Sequence, residues 1–339
     1  MNRLDVQGLK TYFFLDRGIL KAVDGVSFTV GDQETVGIIG ESGCGKSVTA
    51  QSLLRLVARP GEIVSGHAFL RCKDGSIVDI LALVPNSKEL RSIRGDEISI
   101  VFQEPMTSFS PVHTIGFQIS QMYTIHTDIK AAEIRENVIR LLARVGISNP
   151  QQRFDEYPYQ LSGGMRQRAM IAMALSCKPQ IVIADEPTTA LDVTIQAQIL
   201  ELMKELQHEA DMSIVYITHN MAVIAENVDR VYVMYLGRVV ESTTTERIFA
   251  NPLHPYTQKL LRSIPRPGHR VDRLEIIAGS VPNAIDPPVQ CGFFTRCDAA
   301  IVGKCDQAVP ELVEIEEGHF VRCFLYSDET EPEDEWTRI

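Results

Sequence analysis

The sequence predicts an α/β fold in which short buried strands alternate with helices, broken by an inserted helical subdomain and followed by a small, loop-rich C-terminal extension. Three observations predict it. A short apolar strand, Val36 to Ile39, runs into a glycine-rich loop, Gly40-Glu41-Ser42-Gly43-Cys44-Gly45-Lys46-Ser47, and then into a segment, Lys46 to Val57, of helical composition. Four more short, β-branched runs suit a buried and largely parallel sheet: Ile98 to Phe102, Ile181 to Ala184, Ser213 to Thr218 and Val231 to Tyr235. Beyond about Asn251 the prolines multiply and regular periodicity fades after a helical patch from Thr257 to Ile264.

Each element follows from its local pattern. The order strand, glycine loop, helix is the context that a phosphate-binding loop requires. Ile134, Val138, Leu141, Leu142 and Val145 recur at helical spacing and stop at Gly146, which suits a C′ residue in the left-handed conformation. That stripe reads as core packing and places helical sequence between the second and third strands. A further helix is expected from Met165 to Ser176. The extension has few large apolar residues, so a domain of its size calls for a staple. No repeat of 20 to 50 residues is found, so the chain carries one such domain and not a tandem pair.

Composition excludes several classes. At 339 residues the chain has room for roughly two domains of about 150 residues. No run of about 18 apolar residues and no signal-like start are found, so neither a membrane span nor a signal peptide is expected. The formal net charge of −11 argues against a broad nucleic-acid surface, which needs clustered Lys and Arg. Much of it lies in Asp328-Glu329-Thr330-Glu331-Pro332-Glu333-Asp334-Glu335, which reads as a solvated tail. Seven cysteines in a chain expected in the cytosol are not disulfide material.

The chemistry concentrates at the loop. Backbone N–H groups of Gly43, Cys44, Gly45, Lys46 and Ser47 can wrap a β-phosphate because the glycines allow close approach, and the following helix adds its positive end. Lys46 supplies a point charge to the β- and γ-phosphates, and the Ser47 hydroxyl suits Mg²⁺. Asp185, at the end of its apolar strand, suits the same ion, and Glu186 beside it is the candidate general base. Paired carboxylates at a strand end can be plain helix caps, but the phosphate loop in the same chain favours chemistry. Cys44 stands where serine is commoner; the helix end and Lys46 are expected to lower its pKa and make it sensitive to alkylation.

With Leu161-Ser162-Gly163-Gly164-Met165 between the loop and the Asp185 strand, the chain resembles the ABC ATPase family. The resemblance implies an ABC-type nucleotide-binding domain over residues 1–250, its helical subdomain at about 104–165. ATP and Mg²⁺ are the implied ligands. Gly40, Ser42 and Val48 join the loop residues as ATP contacts, and Phe13, with Tyr12 close behind, is the aromatic ring expected on adenine. Gln103 matches the Q-loop and would reach Mg²⁺ and the attacking water, and His219 matches the H-loop facing the γ-phosphate. Asp192 occupies the D-loop position, and Leu161 to Met165 would complete the ATP site of a partner cassette. An ordinary N-cap explains Ser162 but not the Gly-Gly-Met-Arg-Gln-Arg that follows.

Finer resemblance points to the ATP-binding subunits of bacterial dipeptide and oligopeptide importers, carried by Phe102-Gln103-Glu104-Pro105, by Asp185 to Thr194 and by His254-Pro255-Tyr256-Thr257. It covers nearly the whole chain, with an extension over 251–327 and an acidic tail over 328–339. It implies an ATPase on the cytoplasmic face of the inner membrane, energising import of peptides or similar small polar solutes. Implied partners are a second cassette, either a related chain or a second copy, two membrane-spanning permeases and, indirectly, an extracytoplasmic substrate-binding protein. Nickel or opine cargo and a soluble, non-transport ABC ATPase are the alternatives. The gap from Gln103 to Leu161 is too short for the coiled coil of chromosomal ABC ATPases. In this family the late cysteines are associated with an iron-sulfur cluster, so Cys291, Cys297, Cys305 and Cys323 are expected to hold [4Fe-4S]. A single Zn²⁺ satisfies the count equally, although no Cys-x2-Cys knuckle is present, and free buried thiols are the third reading.

Overall fold

The structure, a computed structural model, describes residues 2–104, 108–187, 193–263, 277, 279–282 and 284–332. They fall into two compact units, each assembled from separate stretches of chain: residues 1–3, 30–34 and 70–216 in one, and residues 4–29, 35–69 and 217–339 in the other.

The unit that carries the phosphate loop contains two sheets. Its N-terminal sheet places strand Leu4–Leu15 between Gly18–Val30 and Gly61–Arg71. The central strand Leu4–Leu15 largely alternates buried and open positions, as a sheet with one face on the core does. The second sheet runs in the order Val313–Glu316, His319–Val321, Arg238–Thr244, Arg230–Tyr235 and Thr35–Ile39. Only the last pairing, Val36 opposite Arg230 through Ile39 opposite Val233, is parallel; the first three are antiparallel. Every residue of Thr35–Ile39 is buried, which is why it reads as an unbroken apolar run. Gly37 sits in its middle because a Cβ there would lie 2.7 Å from Ile224 Cδ1 on the helix Met221–Asn227.

The other unit pairs Ile98–Val101 in parallel with Ile181–Asp185, Val101 standing opposite Ala184. Around this pair lie the helices Ile115–His126, Ala131–Arg144 and Gly163–Leu175. Ile134, Val138 and Leu142 form the buried stripe of the middle one, and Gly146 follows its end with φ +77°, as the periodicity predicts. The strand Ser213–Thr218 is buried along its whole length.

Several boundaries differ from the sequence reading by a residue or more, and two of them have a clear local cause. The helix after the phosphate loop ends at Leu53, not Val57, because Arg55 adopts φ +51° and its N–H turns back to the Ser52 carbonyl. The patch read from Thr257 begins at Pro255, since proline is favoured in the first turn and His254 caps it. Among the described residues no helix is long and apolar enough to cross a membrane.

Candidate functional site

The phosphate loop is built by strand, loop and helix in strict succession. Gly40 leaves the strand at φ +154°, and Gly45 caps the helix Lys46–Leu53 at φ +102°. A Cβ on Gly45 would lie 2.1 Å from the Ala22 carbonyl oxygen, so only glycine fits there. Around Gly43, at φ +83°, a Cβ would meet nothing within 4 Å, which leaves the exposed side of the loop open to a ligand. Gly45 offers no side chain to cap the helix, and the positive end of the helix faces the loop. Lys46 is buried, and its Nζ donates to the carbonyls of Gly40 at 2.8 Å and Glu41 at 3.0 Å. Ser42 and Gly43 are exposed, whereas Ser47 and Val48 are half-buried. The arrangement fits a triphosphate: a glycine loop, a helix start and one ammonium.

Cys44 corrects an expectation. It is buried, and burial pushes its thiol pKa up, outweighing the Lys46 ammonium whose Nζ lies 3.7 Å from Sγ. The electropositive loop therefore does not produce a reactive thiolate.

The carboxylate pair sits at the end of strand Ile181–Asp185. Asp185 is buried, and Glu186 turns out of the strand with φ +46°, a left-handed conformation uncommon for a side chain of this size. Parallel pairing brings the ends of the two strands to the same edge, so the residues after Val101 emerge beside those after Ala184. There Gln103 Nε2 donates to Glu186 Oε2 at 2.9 Å. Two residues chosen from sequence for hydrolysis thus meet. The Asp185 carboxylate and the Gln103 amide oxygen are of the kind that suits Mg²⁺, which takes few protein ligands and completes its shell with water and phosphate oxygens.

Ser162 caps the helix Gly163–Leu175, its Oγ accepting from the Met165 N–H at 3.3 Å. Leu161 is buried beneath the turn, Ser162 and Gly163 are exposed, and Gly164 and Met165 are half-buried. Of the six residues that an N-cap left unexplained, the last three each satisfy a carbonyl of a different segment. Arg166 Nε donates to Pro158 O at 2.6 Å, Arg168 Nη1 to Val145 O at 2.7 Å, and the buried Gln167 Nε2 to Pro187 O. Gln167 therefore ties this helix to the turn that carries Glu186. Sequence reading passed it over as one polar residue in a helix.

Tyr12 and Phe13 separate cleanly. Tyr12 is buried, and its hydroxyl donates to Asp24 Oδ1 at 2.5 Å, which commits it to the core. Phe13 is half-buried, and its Cε1 would lie 2.7 Å from a Cβ on Gly61. His219 is exposed directly after the strand Ser213–Thr218. Asp192 lies outside the described residues.

The four late cysteines overturn the metal reading. All are free thiols, and among the described residues no group of three or more His, Cys, Asp or Glu side chains is placed to hold a metal ion. Burial raises the pKa of Cys291 to about 11, of Cys323 to about 12, and that of Cys297 as well, which favours the thiol over the thiolate a metal needs. Cys323 packs with Leu253 and Val321, and Cys305 Sγ accepts from the Ile301 N–H at 3.3 Å. Cys305 and Cys323 are buried as small core residues and Cys291 and Cys297 are half-buried, and neither [4Fe-4S] nor Zn²⁺ is retained.

The extension is stapled by polar contacts instead. Glu241 is fully buried and accepts from the N–H groups of Leu253 at 2.7 Å and His254 at 2.9 Å, with His319 Nε2 at 2.8 Å. His254 Nδ1 accepts from the Tyr256 N–H at 3.0 Å and so caps the helix Pro255–Arg262. Burial, with the Arg322 guanidinium adding to it, lowers the His254 pKa to about 3 and keeps the ring neutral. His254-Pro255-Tyr256 is therefore a helix start locked from beneath by one carboxylate.

Comparison with known proteins agrees with this geometry. Residues 23–189 match the family model described as ABC transporter, and residues 240–305 match the oligopeptide/dipeptide transporter C-terminal region. The oligopeptide transport ATP-binding protein AppD of Bacillus subtilis is 49% identical over 327 residues, 96% of this chain and 97% of that protein. The dipeptide transport ATP-binding protein DppD of the same organism is 44% identical, covering 97% of this chain and 96% of that protein. Among solved structures, the ATP-binding cassette MJ0796, a dimer in a post-hydrolysis state bound to ADP and Pi, superposes with a TM-score of 0.63 at 26% identity, covering 71% of this chain and 98% of that one. The chain belongs to the ABC transporter ATPases, in the branch that carries the oligopeptide/dipeptide transporter C-terminal region.

Proposed function

We propose that this protein is the ATP-hydrolysing subunit of an ABC importer whose cargo is peptide. The observation that carries the reading is one chain holding both a phosphate loop of ABC type and the C-terminal region found in oligopeptide and dipeptide transporters. The domain division we propose is a cassette over residues 1–250 with a helical subdomain at about 104–165, an extension over 251–327 and an acidic tail over 328–339. Relatives named for peptide transport along nearly the full length favour peptide over nickel or opine, and a transporter over a soluble ABC ATPase.

In this reading Gly40 to Val48 receive the ATP phosphates, Lys46 carries the compensating charge and Phe13 takes the adenine. Ser47, Asp185 and Gln103 would hold Mg²⁺, which when bound offsets the charge of the phosphate oxygens. Glu186 accepts a proton from the attacking water, Gln103 orients that water through the contact it already makes to Glu186, and His219 faces the γ-phosphate. Leu161 to Met165 serve the nucleotide of a partner cassette, with the Asp192 position crossing between the two. The dimeric state of MJ0796 supports such pairing. The partner cassette is a related chain or a second copy. Two permeases at the cytoplasmic face of the inner membrane receive the motion, and a substrate-binding protein outside selects the cargo.

A pull-down from detergent-solubilised native membranes with tagged Glu186→Gln protein and Mg-ATP tests this. Recovery of two multi-span permeases and a second cassette is the expected result; recovery of soluble partners alone would overturn the importer reading.

A further inference from the structure

Glu41, the second residue of the phosphate loop, is held by every hydrogen-bonding group it has. Its N–H donates to the Tyr256 hydroxyl at 2.8 Å. Its carbonyl accepts from Lys46 Nζ at 3.0 Å and from the Cys44 N–H at 3.3 Å. Its carboxylate takes both arms of Arg296, Nη1 to Oε2 at 2.7 Å and Nη2 to Oε1 at 3.0 Å. Tyr256 and Arg296 come from the C-terminal extension, 215 and 255 residues away.

The grip on Glu41 is itself braced. The Arg296 side chain is only 4% exposed. Its Nη1 also donates to the Tyr235 hydroxyl at 3.2 Å, and its backbone carbonyl accepts from Lys259 Nζ at 2.9 Å, on the helix that carries Tyr256. Tyr235, Tyr256 and Phe293 pack ring against ring with centroids 4.7, 5.2 and 5.4 Å apart. A buried fork-to-fork pair is costly to assemble and gives orientation in return, because a guanidinium fixes both carboxylate oxygens in one plane where an ammonium fixes neither.

We propose that Arg296, with Tyr256, is a positioning residue for the phosphate loop, setting the loop's affinity for ATP through Glu41. Lys46 is the ammonium that the γ-phosphate must draw, and it rests on the Glu41 carbonyl. Holding Glu41 fixes where that ammonium rests and how the following N–H groups are presented. Binding energy that a flexible loop would lose to ordering is then retained. The effect falls on ground state and transition state alike, so it belongs in KM and not in kcat. The proposal rests on Gly40 to Val48 being the ATP phosphate site.

The test uses the full chain with Arg296→Gln, Arg296→Lys, Glu41→Gln and the Glu41→Gln/Arg296→Gln double variant, reading MgATP affinity with a fluorescent ATP analogue and steady-state hydrolysis. Each single variant should raise KM about tenfold, the scale of a lost charge-assisted pair, with kcat within about twofold. The double variant should be no worse than Arg296→Gln alone, and Arg296→Lys should recover little, having the charge without the fork. Unchanged KM in both Arg296→Gln and Glu41→Gln, multiplying losses in the double variant, or full recovery in Arg296→Lys would each overturn the proposal. Should Arg296→Gln fail to fold, the Glu41→Gln result decides, since that carboxylate is at the partly exposed end of the pair. Lys46→Ala runs beside them: if it binds MgATP normally the phosphate-site assignment fails, whereas lost binding there with normal Arg296 variants removes the positioning role alone.

Discussion

The phosphate loop and the Gln103–Glu186 edge are held in opposite ways. Glu41 in the loop is fixed through its N–H, carbonyl and carboxylate by groups that are themselves buried. At the other edge, the exposed Gln103 meets Glu186 through a 2.9 Å bond, and Glu186 stands in a left-handed conformation that costs roughly 1–3 kcal/mol. In the proposed reading the part that receives phosphate is gripped from buried groups, while the part that orients water reaches it through an exposed amide. An ATPase that must hold its nucleotide before it commits to hydrolysis needs that division.

The sharpest way to break the comparison is Glu186→Gln. If binding and hydrolysis are separable, it should lower hydrolysis about 10²- to 10⁴-fold, the worth of a general base, and leave MgATP affinity near wild type. Equilibrium nucleotide binding alongside single-turnover hydrolysis reads both; a matching loss of affinity would show that the edge is also part of the binding site.

The loop's anchor should carry an acid sensitivity of its own. His254 starts the helix that presents Tyr256 to Glu41, and its pKa is lowered from the ordinary 6.5 to about 3. The unfolded chain therefore binds a proton that the folded one refuses. Its contribution to stability is complete above pH 6.5 and is lost as pH falls towards 3. The loss is on the order of 4 kcal/mol by the low end of that window. His254→Asn keeps an N-cap oxygen and has nothing to titrate. Denaturant midpoints measured between pH 7 and pH 4 should fall less steeply for it, and equal slopes would remove His254 as the source.

Gly45→Ala probes the loop alone. A Cβ 2.1 Å from the Ala22 carbonyl, on a residue at φ +102°, forces either the loop or the strand beside it to move. A cost of roughly 1–3 kcal/mol in unfolding midpoint is expected, together with weakened MgATP binding. Stability lost with affinity intact would show that the loop tolerates displacement, contrary to a prefabricated site.

What the sequence made legible follows the same division. Gly40 to Ser47, the strand before it and the carboxylates after Ala184 were readable because their chemistry lies in the backbone and in neighbouring residues. The helix to Leu175 and the stripe of Ile134, Val138 and Leu142 were readable because helical period is local. The grip on Glu41 was not, since it joins residues 255 positions apart and an Arg before a Cys looks like any surface cation. The cysteines misled for the converse reason. Spacing along the chain suggested a shared ligand, whereas burial raises the Cys291, Cys297 and Cys323 thiols, and no group of side chains among the described residues is placed to hold a metal. Position favoured Phe13 only narrowly over Tyr12, and what distinguishes them further is the side of the strand that meets Asp24, where Tyr12 bonds.

The smallest effect tests whether Ser162 does more than end a helix. Ser162→Ala removes the oxygen that accepts from the Met165 N–H and should cost about 1 kcal/mol of stability. A cap alone predicts nothing further. Ser162→Asp separates the two roles, because aspartate caps as well as serine and favours the positive helix end, yet brings a negative charge to the exposed turn. If the turn serves a phosphate of the partner cassette, Ser162→Asp recovers the lost stability while hydrolysis in the paired state falls at least about tenfold through like-charge repulsion. If stability and hydrolysis both return with aspartate, Ser162 is a cap and the partner's phosphate is served by the N–H groups of Gly163 and Gly164 alone. Either result places the signature turn on one side of the opening contrast, as fixed scaffold or as a part that acts only when two cassettes close.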